Sequence, residues 1–227
     1  MRNITVIALA GLLSVSLVEA RPQWTVDQAN QWWNKTGWFA GCNFVPSTAV
    51  NVLEMWQAET FDLPTIDREL GYAQSIGFTV IRVFLHPLLW QQDPAGFKER
   101  MEQFLQVADS HKIKTMFAMF DDCWNPEGHL GPQPAPIPGV HNSQWVQSPG
   151  NSEYVNGTLY PTYKMYFLDI IGQFRDDPRI LLWDIYNEPG NSAHFSATLP
   201  LLRNAFMWAR QANPSQPISA GVWNWDL

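Results

Sequence analysis

From Trp38 to Trp223 short apolar segments alternate with longer segments of helical periodicity, and that order admits few architectures. Strands are expected over Trp38–Phe44, Thr79–Leu85, Lys114–Phe120, Ile180–Glu188 and Ile218–Trp223. Helices are expected between them over Thr65–Ile76, from Asp93-Pro94 through Ala108, from Tyr163 to Phe174 and from Leu199 to Ala209. Asp93-Pro94 is a cap followed by proline at the first helical position, while Gly77 and Asn213-Pro214 are stop signals. Ahead of the first strand, Thr25-Val26-Asp27-Gln28 reads as a capping box opening a short helix through Trp33. Strands joined in this way must run parallel, with right-handed crossovers.

Five parallel strands fit either an open doubly wound sheet or part of a barrel, and motifs narrow the chemistry. No G-x-G-x-x-G follows the first strand and no G-x-x-x-x-G-K-[ST] occurs, which removes the main support for nucleotide binding. The chain also lacks G-x-S-x-G, H-E-x-x-H and zinc-spaced Cys/His clusters, so neither a metal nor a cofactor is implied. A net charge of -7 argues against nucleic acid and anionic membrane as partners, since both attract a basic face.

Residues 1–20 carry Arg2, an apolar run from Ile4 to Val18, and Val18-Glu19-Ala20 before Arg21, the pattern of a secretory signal peptide. The run falls short of the roughly 18 to 20 apolar residues a membrane span needs. A secreted or periplasmic protein is expected, with residues 21–227 as one domain and no membrane attachment after cleavage; an uncleaved anchor is the alternative. Cys42 and Cys123 are read as two buried free thiols, although an oxidising compartment permits a disulfide. Asn34-Lys35-Thr36 and Asn156-Gly157-Thr158 fit the glycosylation acceptor pattern.

The most informative strand is Ile180 to Pro189. Leu181, Trp183 and Ile185 are assigned to one face, Asp184, Tyr186 and Glu188 to the other, and Pro189 stops the ladder. Asn187 and Glu188 therefore sit at the carboxyl end of a strand, where α/β proteins bind ligands. A carboxylic acid beside an amide suits glycoside cleavage: the acid protonates the leaving oxygen, and the amide holds a sugar hydroxyl in the transition state. In the second strand Arg82 alternates with Ile81 and Val83, so it points into the sheet's concave side and needs a carboxylate partner. That partner is either a catalytic carboxylate or Asp184 in a purely structural pair.

The long connection from Asp121 to Asn156 holds seven prolines and glycines between Pro126 and Pro138, a length typical of segments that cover sites. Asp121 and Asp122 at its start either bind sugar hydroxyls or cap the loop. His86 lies at a strand end and is a further candidate for the cleft. Twelve tryptophans offer planar surfaces for sugar rings, and Trp124, Trp145, Trp223 and Trp225 fall where platforms would be; ordinary packing explains them equally well.

Trp183-Asp184-Ile185-Tyr186-Asn187-Glu188-Pro189 resembles the fourth-strand signature of the clan A glycoside hydrolases, the (β/α)₈ TIM barrels that include family 5 cellulases and mannanases. Gly41-Cys42-Asn43-Phe44-Val45-Pro46-Ser47, Ile81-Arg82-Val83-Phe84-Leu85-His86 and Phe120-Asp121-Asp122-Cys123-Trp124 extend the likeness to secreted family 5-type proteins. The chain departs from the pattern at Asp121 and Asp122, where a histidine is common. The resemblance implies a carbohydrate substrate and a retaining mechanism with Glu188 as general acid/base. It also implies that Asn187 contacts substrate and that Arg82 supports the nucleophilic carboxylate; Asn43, Trp124, Trp223, His86 and Asp121 are further candidates for substrate contact by their place near the strand ends.

Retention requires a second carboxylate about 5 to 5.5 Å away, which in this clan follows the seventh strand. The chain carries five strand–helix units, and three more would take on the order of 130 residues beyond Leu227. The expectation is therefore the N-terminal five units of a TIM barrel, truncated, with its nucleophile beyond the end and little activity alone. The alternative is a secreted carbohydrate-binding protein without turnover.

Overall fold

The structure is a computed structural model that describes residues 20–150, 157–191 and 195–223. The leader read at 1–20, apart from Ala20, lies outside the described residues, as do Asn156 of the second glycosylation acceptor and Trp225. The elements in chain order are α1 (Val26–Thr36), β1 (Gly41–Asn43), α2 (Val52–Trp56), α3 (Leu63–Ser75), β2 (Val80–Phe84), α4 (Pro87–Gln92), α5 (Pro94–Ser110), β3 (Lys114–Ala118), α6 (Tyr160–Phe174), β4 (Ile180–Asn187), α7 (Leu199–Ala212) and β5 (Ile218–Gly221). The five strands form one parallel sheet in the order β1-β2-β3-β4-β5, the order of a partial (β/α) barrel.

Local signals place the helices. The capping box at Thr25 is complete, with Gln28 N–H donating to Thr25 Oγ1 at 3.2 Å and Thr25 N–H to Gln28 Oε1 at 2.9 Å. Asp93 Oδ1 accepts from Gly96 N–H at 2.9 Å, with Pro94 opening α5. Gly77 follows α3 with φ +89°, a left-handed turn open to glycine at no steric cost.

The core lies between the convex side of the sheet and the helices. Ile81, Val83, Phe117, Trp183 and Ile185 are all fully buried there. Trp56, at the end of α2, meets Phe97 and Phe104 edge-on with centroids 5.8 and 5.4 Å away, and Trp183 stacks on Phe117 at 5.7 Å. Aromatic rings of this size dominate the apolar area buried. The concave side carries Arg82, Met116, Leu182 and Asp184, so β2 alternates as its sequence required.

Several expectations are corrected. The first strand is Gly41–Asn43 rather than Trp38–Phe44, and Trp38 is 84% exposed; β1 has β2 as its one ladder partner, so little holds its ends. Gly41 runs so close to β2 that a Cβ would sit 1.7 Å from Val80 O, a contact no other residue tolerates. The fifth strand ends at Gly221 rather than Trp223. Two short helices, α2 and α4, occupy segments without a full period of helical pattern. Cys42 and Cys123 are free thiols, but neither is buried: Cys42 is exposed and Cys123 half-buried.

In β4 a first register shift, against β3, falls between Ile180 and Leu182, after which the alternation holds through Ile185 and then breaks. Pairing with β5 shifts register between Asp184 and Asn187. Asp184 Oδ1 takes the amides that the bulge leaves unpaired, from Tyr186 at 3.3 Å and Gly221 at 3.2 Å. The extra residue sends the Tyr186 ring against Phe120, and brings Asn187 onto the same side as Asp184.

Candidate active site

The carboxyl ends of the strands and the long loop after β3 enclose a cleft of about 440 Å³. Asn43, Asp121, Cys123, Trp124, Asn187 and Glu188 all line it. Larger hollows exist, one of about 880 Å³ between α1 and the α7–β5 side, but Arg21 and Arg210 are the charged groups lining it and no carboxylate is present. Another, of about 750 Å³ near the amino ends of the strands, holds Asp176 and Asp177 beside Lys35, Lys112 and Lys114; the cleft at the carboxyl ends is the one that sets a carboxyl group beside an amide where α/β proteins bind ligands.

Glu188 stands just past β4 with φ +48°, a left-handed conformation that strains a non-glycine residue by roughly 1 kcal/mol. Its backbone is tied on both sides: Glu188 N–H donates to Gly221 O at 2.7 Å, and Asn191 N–H donates to Glu188 O at 3.1 Å. The side-chain Oε2 accepts from Asn191 Nδ2 at 2.7 Å and from Cys123 Sγ at 3.2 Å. The turn thus aims a carboxyl group into the cleft and holds one of its oxygens.

Asn187 is set by opposite charges. Its Oδ1 accepts from Arg82 Nη2 at 2.7 Å and its Nδ2 donates to Asp121 Oδ1 at 2.7 Å, so the amide cannot flip without placing like groups together. The remaining N–H meets Cys123 Sγ at 3.4 Å, a weak partner that a sugar hydroxyl can displace.

Arg82 ends in a fork on Asp184. Nε donates to Oδ2 at 2.8 Å, Nη2 bonds the same oxygen, and Nη1 reaches Asn43 Oδ1 at 3.4 Å. Its guanidinium also lies over the Phe84 ring, 4.8 Å from the centroid. Of the two partners foreseen for Arg82, Asp184 is the one present among the described residues.

Asp121 is 2% exposed, with Oδ1 on Asn187 and Oδ2 accepting from Trp145 Nε1 at 2.6 Å. Burial pushes its carboxyl up, against the lowering influence of the hydrogen bonds from Asn187, Trp145 and Cys123 and the charge of Arg82. Its backbone pairs with Ser148, which closes the loop onto the sheet. Asp122 turns away and accepts from Gly190 N–H at 2.6 Å and Tyr186 Oη at 3.2 Å, holding the turn after Glu188.

Trp124 has φ +72° and remains 52% exposed, its ring edge-on to His141 at 5.5 Å. Gln147 Nε2 donates to Trp124 O at 2.9 Å and secures that strained backbone. Trp145, by contrast, is 8% exposed and packs edge-on against Phe84 at 5.2 Å. Trp124 is thus the ring offered to a ligand, while Trp145 is mostly wall.

Three sequence candidates do not line the cleft: Trp223, His86 and Arg82, the last of which reaches it through Asn187 and Asn43. Trp223 lies beyond β5 against Phe195, centroids 6.2 Å apart, and is not part of the lining. His86 is buried, its Nδ1 accepting from Leu88 N–H at 3.1 Å and its Nε2 donating to Gln147 O at 2.9 Å. It caps α4 and anchors the loop from below. Sequence reasoning treated Cys123 only as a thiol and overlooked Asn191. Neither belongs to a periodic pattern, and only the turn at Glu188 folds Asn191 back.

Desolvation lowers the His86 pKa to about 4. Because the folded value lies below the unfolded value near 6.5, the neutral imidazole stabilises the fold above pH 6.5. That stability is lost progressively as pH falls toward 4, about 3 kcal/mol in all. Thermal melts should therefore show a midpoint that falls between pH 7 and 4, and His86→Asn, which keeps an α4 cap, should flatten that fall. Equal pH dependence in the two proteins would show that His86 is not its source.

Among the described residues no group of His, Cys, Asp and Glu is placed to hold a metal ion, and no helix is long and apolar enough to cross a membrane. No family model and no curated protein sequence matches the chain. Solved structures share its partial (β/α) barrel fold. One is the exo-β-1,4-mannosidase from Opitutaceae bacterium strain TAV5, at 18% identity and TM-score 0.56 over 80% of this chain and 31% of that chain. The endo-1,4-β-mannanase from Rhizomucor miehei matches at 16% identity and TM-score 0.55, over 83% and 60% of the two chains. The GH5_18 protein from Streptomyces cattleya in complex with GlcNAc matches at 14% and 0.54, over 81% and 45%. The chain spans between 31% and 60% of the length of these proteins.

Proposed function

We propose that the protein hydrolyses β-linked polysaccharides or oligosaccharides by a retaining mechanism, with Glu188 as general acid/base, and that it acts outside the cytoplasm after removal of residues 1–20. The observation that carries this reading is the pairing of a cleft-facing Glu188 with an Asn187 whose amide is oriented by Arg82 and Asp121. Such an amide is preorganised to hold a sugar hydroxyl as charge develops on the ring, without reorganising in the transition state.

In the first step Glu188 gives its proton to the glycosidic oxygen while a second carboxylate attacks the anomeric carbon; in the next, Glu188 takes a proton from the water that releases the sugar. Asp121 is a poor choice for the nucleophile, since both of its oxygens are engaged and it is buried. Among the described residues Glu188 and Asp121 are the carboxylates that line the cleft, and the nucleophile is assigned to neither. Support for a carbohydrate ligand comes from the exposed Trp124 ring at the cleft edge and from the mannan-active and GlcNAc-bound proteins that share the fold.

The test is hydrolysis by the full-length protein of β-mannan, β-glucan and xylan, with calorimetry for binding. Release of reducing ends supports the reading. Binding without turnover sinks it and favours a carbohydrate-binding protein. Trp124→Ala should raise the ligand dissociation constant about tenfold with a small effect on stability, as expected for loss of one stacking surface. An unchanged constant would place the sugar elsewhere.

A further inference from the structure

Cys123 sits at the junction of four groups in the cleft. Its Sγ is 3.2 Å from Glu188 Oε2, 3.4 Å from Asn187 Nδ2 and 3.6 Å from Asn191 Nδ2, and the Asp121 carboxylate lies near enough to act on the thiol. A thiol carries one hydrogen, so it can serve one of these two carboxylates at a time. Glu188 Oε2 already receives Asn191 Nδ2 at 2.7 Å, whereas Oε1 receives no hydrogen bond among the described residues.

We infer that Cys123 is a positioning residue for Glu188: its S–H turns to Oε2 when Glu188 is ionised and to Asp121 when Glu188 is protonated, so that the proton is offered from Oε1. The inference rests on the acid/base role proposed above and deepens it by assigning which oxygen works and what steadies the ionised form. No bond to sulfur is made or broken; only the S–H rotates. The charged and titratable groups around this point are Arg82 from β2, Asp121 from the end of β3, Asp184 on β4 and His141 from the long loop. Arg82 is committed to Asp184 and Asn187, which leaves Cys123 and Asn191 as the donors that reach Glu188 directly.

Burial, then the Asp121 and Glu188 carboxylates, push the Cys123 thiol up. If thiol and carboxyl are coupled, the coupling is reciprocal and can be read from the sulfur. In a Cys42→Ala background Cys123 is the one thiol left in residues 1–227, and its alkylation by iodoacetamide at pH 9, followed on the peptide that carries it, measures the thiolate. Adding Glu188→Gln should speed alkylation at least threefold, the gain expected for about one unit of thiol acidification after allowing for reduced nucleophilicity. The catalytic counterpart is the alkaline limb of kcat/KM, where Glu188 loses its proton. Cys123→Ala should move that limb to higher pH by about half a unit or more, and Cys123→Ser, which keeps a donor, should restore most of it.

Alkylation unchanged by Glu188→Gln overturns the inference, as does a Cys123→Ala profile that is merely lower with its limb in place. Faster alkylation in a full-length protein that cleaves no glycoside leaves the coupling standing and defeats the proposed function instead.

Discussion

Glu188→Gln should lower the hydrolysis of β-linked polysaccharide about a thousandfold, the usual loss when a positioned proton donor is removed. The amide fills the same space and still accepts from Asn191 and Cys123 through its oxygen, so binding and melting temperature should change little. The loss should depend on the leaving group. An aryl glycoside with a strongly acidic phenol departs without help, so its first step should be nearly normal, while an alkyl or sugar leaving group should show the full effect. A uniform loss across leaving groups would mean that Glu188 does not protonate the departing oxygen.

The second large effect concerns stability. Arg82→Ala strands Asp184, whose side chain is 5% exposed, without its cation and frees the Asn187 amide, and should cost about 3–5 kcal/mol. Denaturant unfolding reads this as a lower midpoint at constant slope. Adding Asp184→Asn should recover part of the loss, because the amide removes the unpaired charge while its oxygen still accepts from Tyr186 and Gly221 N–H. The double variant should nonetheless stay inactive, since nothing then orients Asn187 Oδ1. A single variant that unfolds like the wild type would show that the pair contributes neither to the fold nor to the site.

The parts of the fold legible in the sequence are those with enough periodicity to outvote local noise. Five strands and the caps at Thr25 and Asp93 are of this kind, and so is the inward direction of Arg82 between Ile81 and Val83. Glu188 was legible because a proline stop marks the strand end.

What escaped has physical causes. The five residues of α2 give less than two helical turns, so no helical period marks the segment that ends in the fully buried Trp56. The β4 bulge cannot be read from alternation, because it depends on the Asp184 carboxylate being placed to take the amides of Tyr186 and Gly221 that the ladder does not pair. His86 was read as a strand-end polar group, although the following Pro87 marks it as a helix cap. Trp223 falls two residues past the ladder and turns to Phe195. The roles of Cys123 and Asn191 depend on the left-handed turn at Glu188, which no residue-type pattern announces.

The measurement that bears most directly on glycoside cleavage by Glu188 is proton NMR of the first sugar released when full-length protein acts on a β-1,4-linked oligosaccharide. A β-anomer that appears before mutarotation, and that disappears in Glu188→Gln while calorimetry still records binding, is the expected result. An α-anomer as first product, or release undiminished by Glu188→Gln, would contradict it.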